Sequence, residues 1–199
     1  MKITLLGPAY PYRGGLATFN ERLARQLSSE CKEVDIRTFT LQYPKFLFPG
    51  KTQYTDSPPP DGIKITRQLN SVNPFSWIRT GFKIKKEKAD ILLIRYWIPF
   101  LAPALGTVAR IVKSNKYTVI ISVVDNAIPH EKHPGHFLLT RFFMNSLDGA
   151  IALSDSVQRD VESFRKDIPV CVAPHPLFDS YGTKMSRSEA LSELKLDPD

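Results

Sequence analysis

Seven short runs rich in β-branched or aliphatic residues punctuate the chain: Ile3–Leu6, Val34–Phe39, Ile63–Thr66, Ile91–Arg95, Val119–Val124, Ala150–Leu153 and Val170–Ala173. Several are apolar at nearly every position, the pattern of strands covered on both faces. Stretches of helical period fill intervals at 15–29, about 74–88, about 100–114 and about 155–164. In the first, Leu16, Phe19, Leu23 and Leu27 form one face, with Glu21, Arg22 and Arg25 opposite. Leu101, Leu105, Val108 and Val112 stripe the third. In the last, Ser154 or Asp155 can cap while Val157, Val161 and Phe164 bury. This alternation predicts an α/β fold: a doubly wound, mainly parallel, Rossmann-like sheet. The 199 residues, 42% of them hydrophobic, suffice for one well-packed domain, placed at residues 1–183.

Two stretches fall outside that pattern. Residues 42–62, with a proline triplet and no periodicity, read as a long exposed loop. At 184–199, Ser186 and Glu189 form a capping-box pattern opening a short helix, Ala190–Leu194, before the chain stops at a turn. We read this end as the start of a linker to a further domain.

Ligands of a doubly wound sheet bind beyond the carboxyl ends of its strands, and the chemically informative residues follow those ends. "GPAYPYRGG" follows the first run, "RYWIPFLAP" spans the end of the fourth, "DNAIPHEKHPGH" follows the fifth, "SDS" the sixth and "PHP" the seventh. Arg13, Trp97, Asp125, His130, Glu131 and His175 are therefore expected to converge on one cleft. Gly14 and Gly15 leave the backbone bare just ahead of a helix. Two readings follow: an opening for an anion at the helix amino end, or a tight strand-to-helix turn. His130, His133 and His136 cluster, but steps of three in a Pro- and Gly-containing loop match no zinc spacing. His130, beside Glu131, is the one with a reason to act, since a carboxylate orients a ring and raises its basicity.

No G-x-G-x-x-G, Walker or G-x-S-x-G sequence occurs, which sets aside dinucleotide, P-loop and hydrolase readings. Charge is uneven: of a net +7, the segment Lys64–Lys116 carries 11 basic residues against Glu87 and Asp90. Such a face suits nucleic acid, an anionic membrane or a polyphosphate. Cys31 and Cys171 are far apart, and the apolar amino-terminal run breaks at Gly7-Pro8, so a cytoplasmic protein with free thiols is expected. The longest apolar stretch, Trp97–Val112, is too short and too interrupted to span a bilayer.

"GPAYPYRGGLATFNERLARQL", "RYWIPFLAPALGTVAR", "VVDNAIPHE" and "ALSDSVQRDV", in this order, resemble the N-terminal domain of GT-B-type retaining glycosyltransferases, especially bacterial transferases of lipid-linked sugars and surface polysaccharides. The likeness covers essentially the whole chain. It implies the acceptor-side half of a two-domain transferase. The partners it implies are a nucleotide sugar, a glycan or lipid-linked acceptor and a C-terminal donor domain, with no cofactor and no metal. Taken with the strand-end positions, it gives Asp125 and His130 as candidate catalytic residues, and Arg13, Gly14, Gly15, Trp97, Asn126, Glu131, Ser154 and His175 as candidates for donor or acceptor binding. One departure stands out: many relatives carry a histidine where this chain has Asp125, whose charge would repel a diphosphate. The basic segment, with the apolar stretch Trp97–Leu105, is expected to dock peripherally on the inner face of an anionic membrane. The rival reading is a basic Rossmann-like module that binds nucleic acid or regulates without catalysis, although no nucleic-acid motif accompanies it.

Overall fold

The computed structural model describes residues 1–31, 33–48, 50, 52–128, 134–176 and 184–197, the side chain of Phe46 excepted. Strands β1 (Lys2–Leu6), β2 (Glu33–Leu41), β3 (Lys64–Asn70), β4 (Ile91–Tyr96), β5 (Val119–Val124), β6 (Gly149–Ala152) and β7 (Val170–Val172) form one sheet. Their order is β3-β2-β1-β4-β5-β6-β7, and every neighbouring pair is parallel. The expected α/β, doubly wound, Rossmann-like fold is the one observed. All carboxyl ends lie on one edge, and the winding reverses between β1 and β4, which opens a crevice there.

Helices α1 (Gly15–Glu30), α2 (Pro74–Glu87), α3 (Ala102–Lys113), α4 (His136–Met144), α5 (Asp155–Phe164) and α6 (Arg187–Leu194) connect or follow the strands. Alternation along each strand sends side chains to two cores. Ile3, Leu5, Ile36, Leu93 and Val123 meet Ala24 of α1 on one face. Leu6, Leu92, Ile94 and Tyr96 face the other way, toward Ile84 of α2, Leu105 and Val108 of α3, Phe143 of α4 and Val161 of α5. Tyr96 stacks on Phe143 at 4.4 Å and shares a 2.8 Å hydrogen bond with Thr140, which fixes α4 to the sheet.

Four expectations need correction. The buried face of α1 is Ala17, Asn20 and Ala24, because small residues let the helix lie close to the sheet; Leu23 and Leu27 only flank it. Helix α4 was not foreseen. Residues 42–62 are not simply an exposed loop: Gln53 bonds both the N–H and the carbonyl of Tyr43, and Tyr54 bridges antiparallel to Tyr12. The stretch Trp97–Leu105 offers no apolar surface patch, since Leu101, Ala104 and Leu105 are fully buried. The capping box at Ser186 and Glu189 is present, and α6 buries no residue. Among the described residues no helix is long and apolar enough to cross a membrane.

A polar knot ties β2 to α2. Arg37 bonds Asp35 at 2.5 Å and Glu87 at 2.6 Å, and Thr4 donates to Asp35 at 2.8 Å. Asp35 and Arg37 are almost wholly buried. Removing one partner of such a pair strands the other in a medium that does not hydrate it. Arg37→Ala is therefore expected to lower stability by about 3–5 kcal/mol, measured by thermal or denaturant unfolding. A loss below about 1 kcal/mol, the size of an exposed pair, would contradict the buried role.

Candidate functional site

The loop from β1 to α1 is held from behind by α1 itself. A Cβ at Gly7 would lie 2.8 Å from both the Arg95 Cβ and the Asn20 Nδ2, so a bare residue is needed where β1, β4 and α1 converge. Asn20 Nδ2 donates to the Pro8 carbonyl at 2.8 Å, and the Tyr10 N–H donates to Glu21 at 2.6 Å. Burial pushes the Glu21 carboxyl up, with that N–H and Arg25 opposing. Tyr12 is buried against Phe39 and Tyr54, and burial together with Tyr54 pushes its phenol up to about 12.

Beyond Tyr12 the loop turns outward. Arg13, Gly14 and Gly15 are exposed, and Gly14 sits at φ 107°, a conformation that L side chains rarely adopt. Its carbonyl accepts the Ala17 and Thr18 N–H groups at 3.0 and 3.2 Å. The turn reading thus accounts for Gly14. Gly15 is the first residue of the helix and needs no such conformation. No side chain caps α1 among the described residues and no acidic residue lies in its first turn; with Ala17 and Thr18 taken up by the Gly14 carbonyl, the N–H groups of Gly15 and Leu16 are the ones placed to meet an anion.

At the ends of β4 and β5, Arg95 and Asp125 form a bidentate pair, with Nε to Oδ2 at 2.5 Å and Nη2 to Oδ1. The Arg95 side chain is 2% exposed and that of Asp125 20%. The guanidinium lies 4.0 Å over the Phe19 ring, and the exposed His175, after β7, lies 5.0 Å from that same ring, tilted at 59°. Arg95 Nη1 is buried without a hydrogen-bond partner among the described residues. Three strands and α1 are thereby drawn together on one face of the edge.

An aromatic wall occupies the other face. Trp97 donates its indole N–H to the Tyr43 hydroxyl at 2.6 Å and meets Phe39 edge-on, while Tyr43 stacks with Phe100 and Phe48. Burial pushes the Tyr43 phenol up, and the Trp97 hydrogen bond opposes it. Trp97 packs against the core on the α2 and α3 side, away from Arg95 and Asp125.

The candidate residues named from sequence that are described all follow strand ends on one edge. Asp125 and His175 come together through Arg95 and Phe19; Trp97 joins the aromatic wall instead. Asn126 is half-buried beside Asp125, and the Ser154 hydroxyl caps α5 by accepting from the Val157 N–H at 3.3 Å. His130 and Glu131, like His133, lie outside the described residues. Sequence reasoning missed Arg95, Phe19 and Asn20 as site residues. The available signal was a lone arginine closing the apolar run "ILLIRY".

No family model matches the chain, and no curated protein sequence matches it. Solved structures do. The chain is similar to sucrose-phosphate synthase from Thermosynechococcus elongatus, at TM-score 0.53 and 14% identity, over 98% of this chain and 95% of that one. It is similar to UDP-N-acetylglucosamine 2-epimerase from Rickettsia bellii, at TM-score 0.58 and 15% identity, over 100% of this chain and 52% of that one. The corresponding epimerase from Methanocaldococcus jannaschii follows at TM-score 0.51 and 10% identity, over 86% and 45%. The chain thus spans about half the length of these epimerases. At such identities what is shared is the fold.

The Arg95–Asp125 pair generates a stability test. Asp125→Ala leaves a buried guanidinium unanswered and is expected to cost about 3–5 kcal/mol, whereas replacing both partners by apolar residues is often near neutral. Arg95→Met/Asp125→Ala should therefore melt above Asp125→Ala alone. Additive losses in this double-mutant cycle would show that the two groups are not coupled.

Proposed function

We propose that the chain is the acceptor-side, Rossmann-like half of a GT-B-type retaining glycosyltransferase, moving a sugar from a nucleotide-sugar donor to a glycan or lipid-linked acceptor. The observation that carries this reading is the open amino end of α1. It follows a backbone without side chains at Gly14 and Gly15, carries neither cap nor first-turn acid, and stands at the carboxyl edge beside the β1–β4 reversal. An end of this kind attracts anions. A departing nucleoside diphosphate would gain most from those N–H groups and from the exposed Arg13 as its charge develops. The names of the structural neighbours, a sucrose-phosphate synthase and two UDP-N-acetylglucosamine 2-epimerases, point in the same direction.

The aspartate in place of the family's histidine fits this chemistry better than its bare charge suggests. Arg95 answers the Asp125 carboxylate, so the pair as a whole does not repel a diphosphate. The partly exposed carboxylate keeps lone pairs with which to accept a sugar hydroxyl. In this reading Asp125 and His130 serve the transferred sugar, while Asn126, Glu131, Trp97, Ser154 and His175 border the donor or acceptor. A second domain holds most of the nucleotide, and the reaction uses no cofactor besides the donor substrate.

The test is transfer by the intact enzyme carrying Gly15→Ala. Alanine is welcome at a helical position, so melting temperature should hold. A methyl in the path of the diphosphate or sugar should lower kcat/KM at least about tenfold, or about 1.4 kcal/mol. Arg13→Ala should weaken the same step without altering the turn. Wild-type turnover in a folded Gly15→Ala enzyme would reduce the loop to a turn.

A further inference from the structure

Helix α2 is apolar on two opposite faces. Its inner face is pinned: Ile84, Thr80 and Gly81 are buried, the Trp77 indole N–H donates to the Asn70 carbonyl at 2.7 Å, and the Thr80 hydroxyl donates to the Gln68 carbonyl at 3.3 Å. A Cβ on Gly81 would come within 2.9 Å of the Ile111 Cβ, so α2 also sits tightly on α3. The helix therefore has no freedom to roll. Its outer face carries Phe75, Ile78 and Phe82, at 83%, 44% and 56% exposure and at helical spacing. Leaving two phenylalanines in water on a fixed helix face is costly unless something covers them.

The rim of that stripe tells what covers it. Arg79, Lys83 and Lys86 are exposed along one side, and Lys85 lies on the other with its ammonium 5.9 Å from the Phe82 ring. The one acid of α2, Glu87, points back to Arg37 and is spent there. Beside the stripe, at the carboxyl edge of the sheet, a groove of about 460 Å³ is lined by Arg67, Arg79, Lys83, Asn73, Ser76 and Phe75 among others, with no carboxylate among the described lining residues. Among the described residues, Arg79 and Lys83 have no acidic partner. Apolar side chains between cations are the pattern of a helix lying in a bilayer interface.

We propose that α2 docks the protein on an anionic bilayer, with Phe75, Ile78 and Phe82 entering the acyl boundary and Arg67, Arg79 and Lys83 receiving a lipid phosphate in the adjoining groove. The proposal rests on α2 alone and is independent of the transferase reading. It also moves the membrane contact from the buried stretch Trp97–Leu105 to residues that are at the surface. A nucleic acid would use the same cations but would leave the phenylalanine stripe wet, which is why a lipid surface fits better.

The test is sedimentation of the chain with vesicles of phosphatidylcholine alone and of phosphatidylcholine mixed with phosphatidylglycerol. Binding to the mixed vesicles only, weakening as salt rises, is the expected result. Phe75→Ser/Phe82→Ser and Arg79→Gln/Lys83→Gln should each lower the partition coefficient at least about tenfold with melting temperature unchanged. The charge-matched control Arg159→Gln/Lys166→Gln should leave it as it is. Equal binding to both lipids, binding to neither, or binding indifferent to the phenylalanines would overturn the proposal. So would a wild-type dimer that Phe75→Ser/Phe82→Ser dissociates, or duplex DNA held more tightly than the mixed vesicles.

Discussion

A guanidinium taken out of water onto the α1 face of β4 costs several kcal/mol unless it is answered on more than one side. At Arg95 the answer comes from Asp125 at the end of β5 and from the face of Phe19 on α1. Meeting both demands sets the position of everything nearby. Helix α1 must lie low over β1 and β4, so Gly7 is bare, Ala17 and Ala24 are small, and Asn20 reaches the Pro8 carbonyl. The amino end of α1 is thereby aimed past the carboxyl edge of the sheet. Its openness to an anion comes from the bare backbone at Gly14 and Gly15 and from the absence of a cap or a first-turn acid.

The asymmetry of the winding gives the edge two different sides. On the face covered by α1 lie a neutralised ion pair, an exposed arginine and uncapped N–H groups. On the face covered by α2 and α3 lie Trp97, Tyr43, Phe39 and Phe100, interlocked by rings and one indole hydrogen bond. The chain between β2 and β3 belongs to that second side, because Gln53 and Tyr54 fasten it to Tyr43 and Tyr12. The outward stripe of α2 borders the same side, so a surface that holds α2 also places the aromatic wall near it.

Much of this was legible in the sequence, and what was missed has physical causes. Strands buried on both faces advertise themselves by continuous apolar runs, and all seven strands overlap the runs read from sequence, although the edge strand β3, KITRQLN, continues four residues past its run because its polar residues break the pattern. The face of α1 was misplaced because periodicity weighs Leu16 and Phe19 above Ala17 and Asn20. Close helix-to-sheet approach selects the small residues, and Phe19 is drawn to a cation. Helix α4, "HFLLTRFFM", escaped because it exposes Phe137 and Leu138 and buries Thr140, the reverse of what hydropathy implies. Asp125 was found as a departure from a family pattern. Its partner was not, since the two are 30 residues apart and only the β4–β5 pairing brings them together.

The most direct measurement follows the backbone amides of isotopically labelled protein by NMR as a nucleoside diphosphate is added. If the amino end of α1 is the anion seat, the largest saturable shifts fall on Gly15 and Leu16, while the amides of β6 and α5 stay in place. Shifts that saturate elsewhere, with the α1 amides unmoved at millimolar ligand, would contradict it.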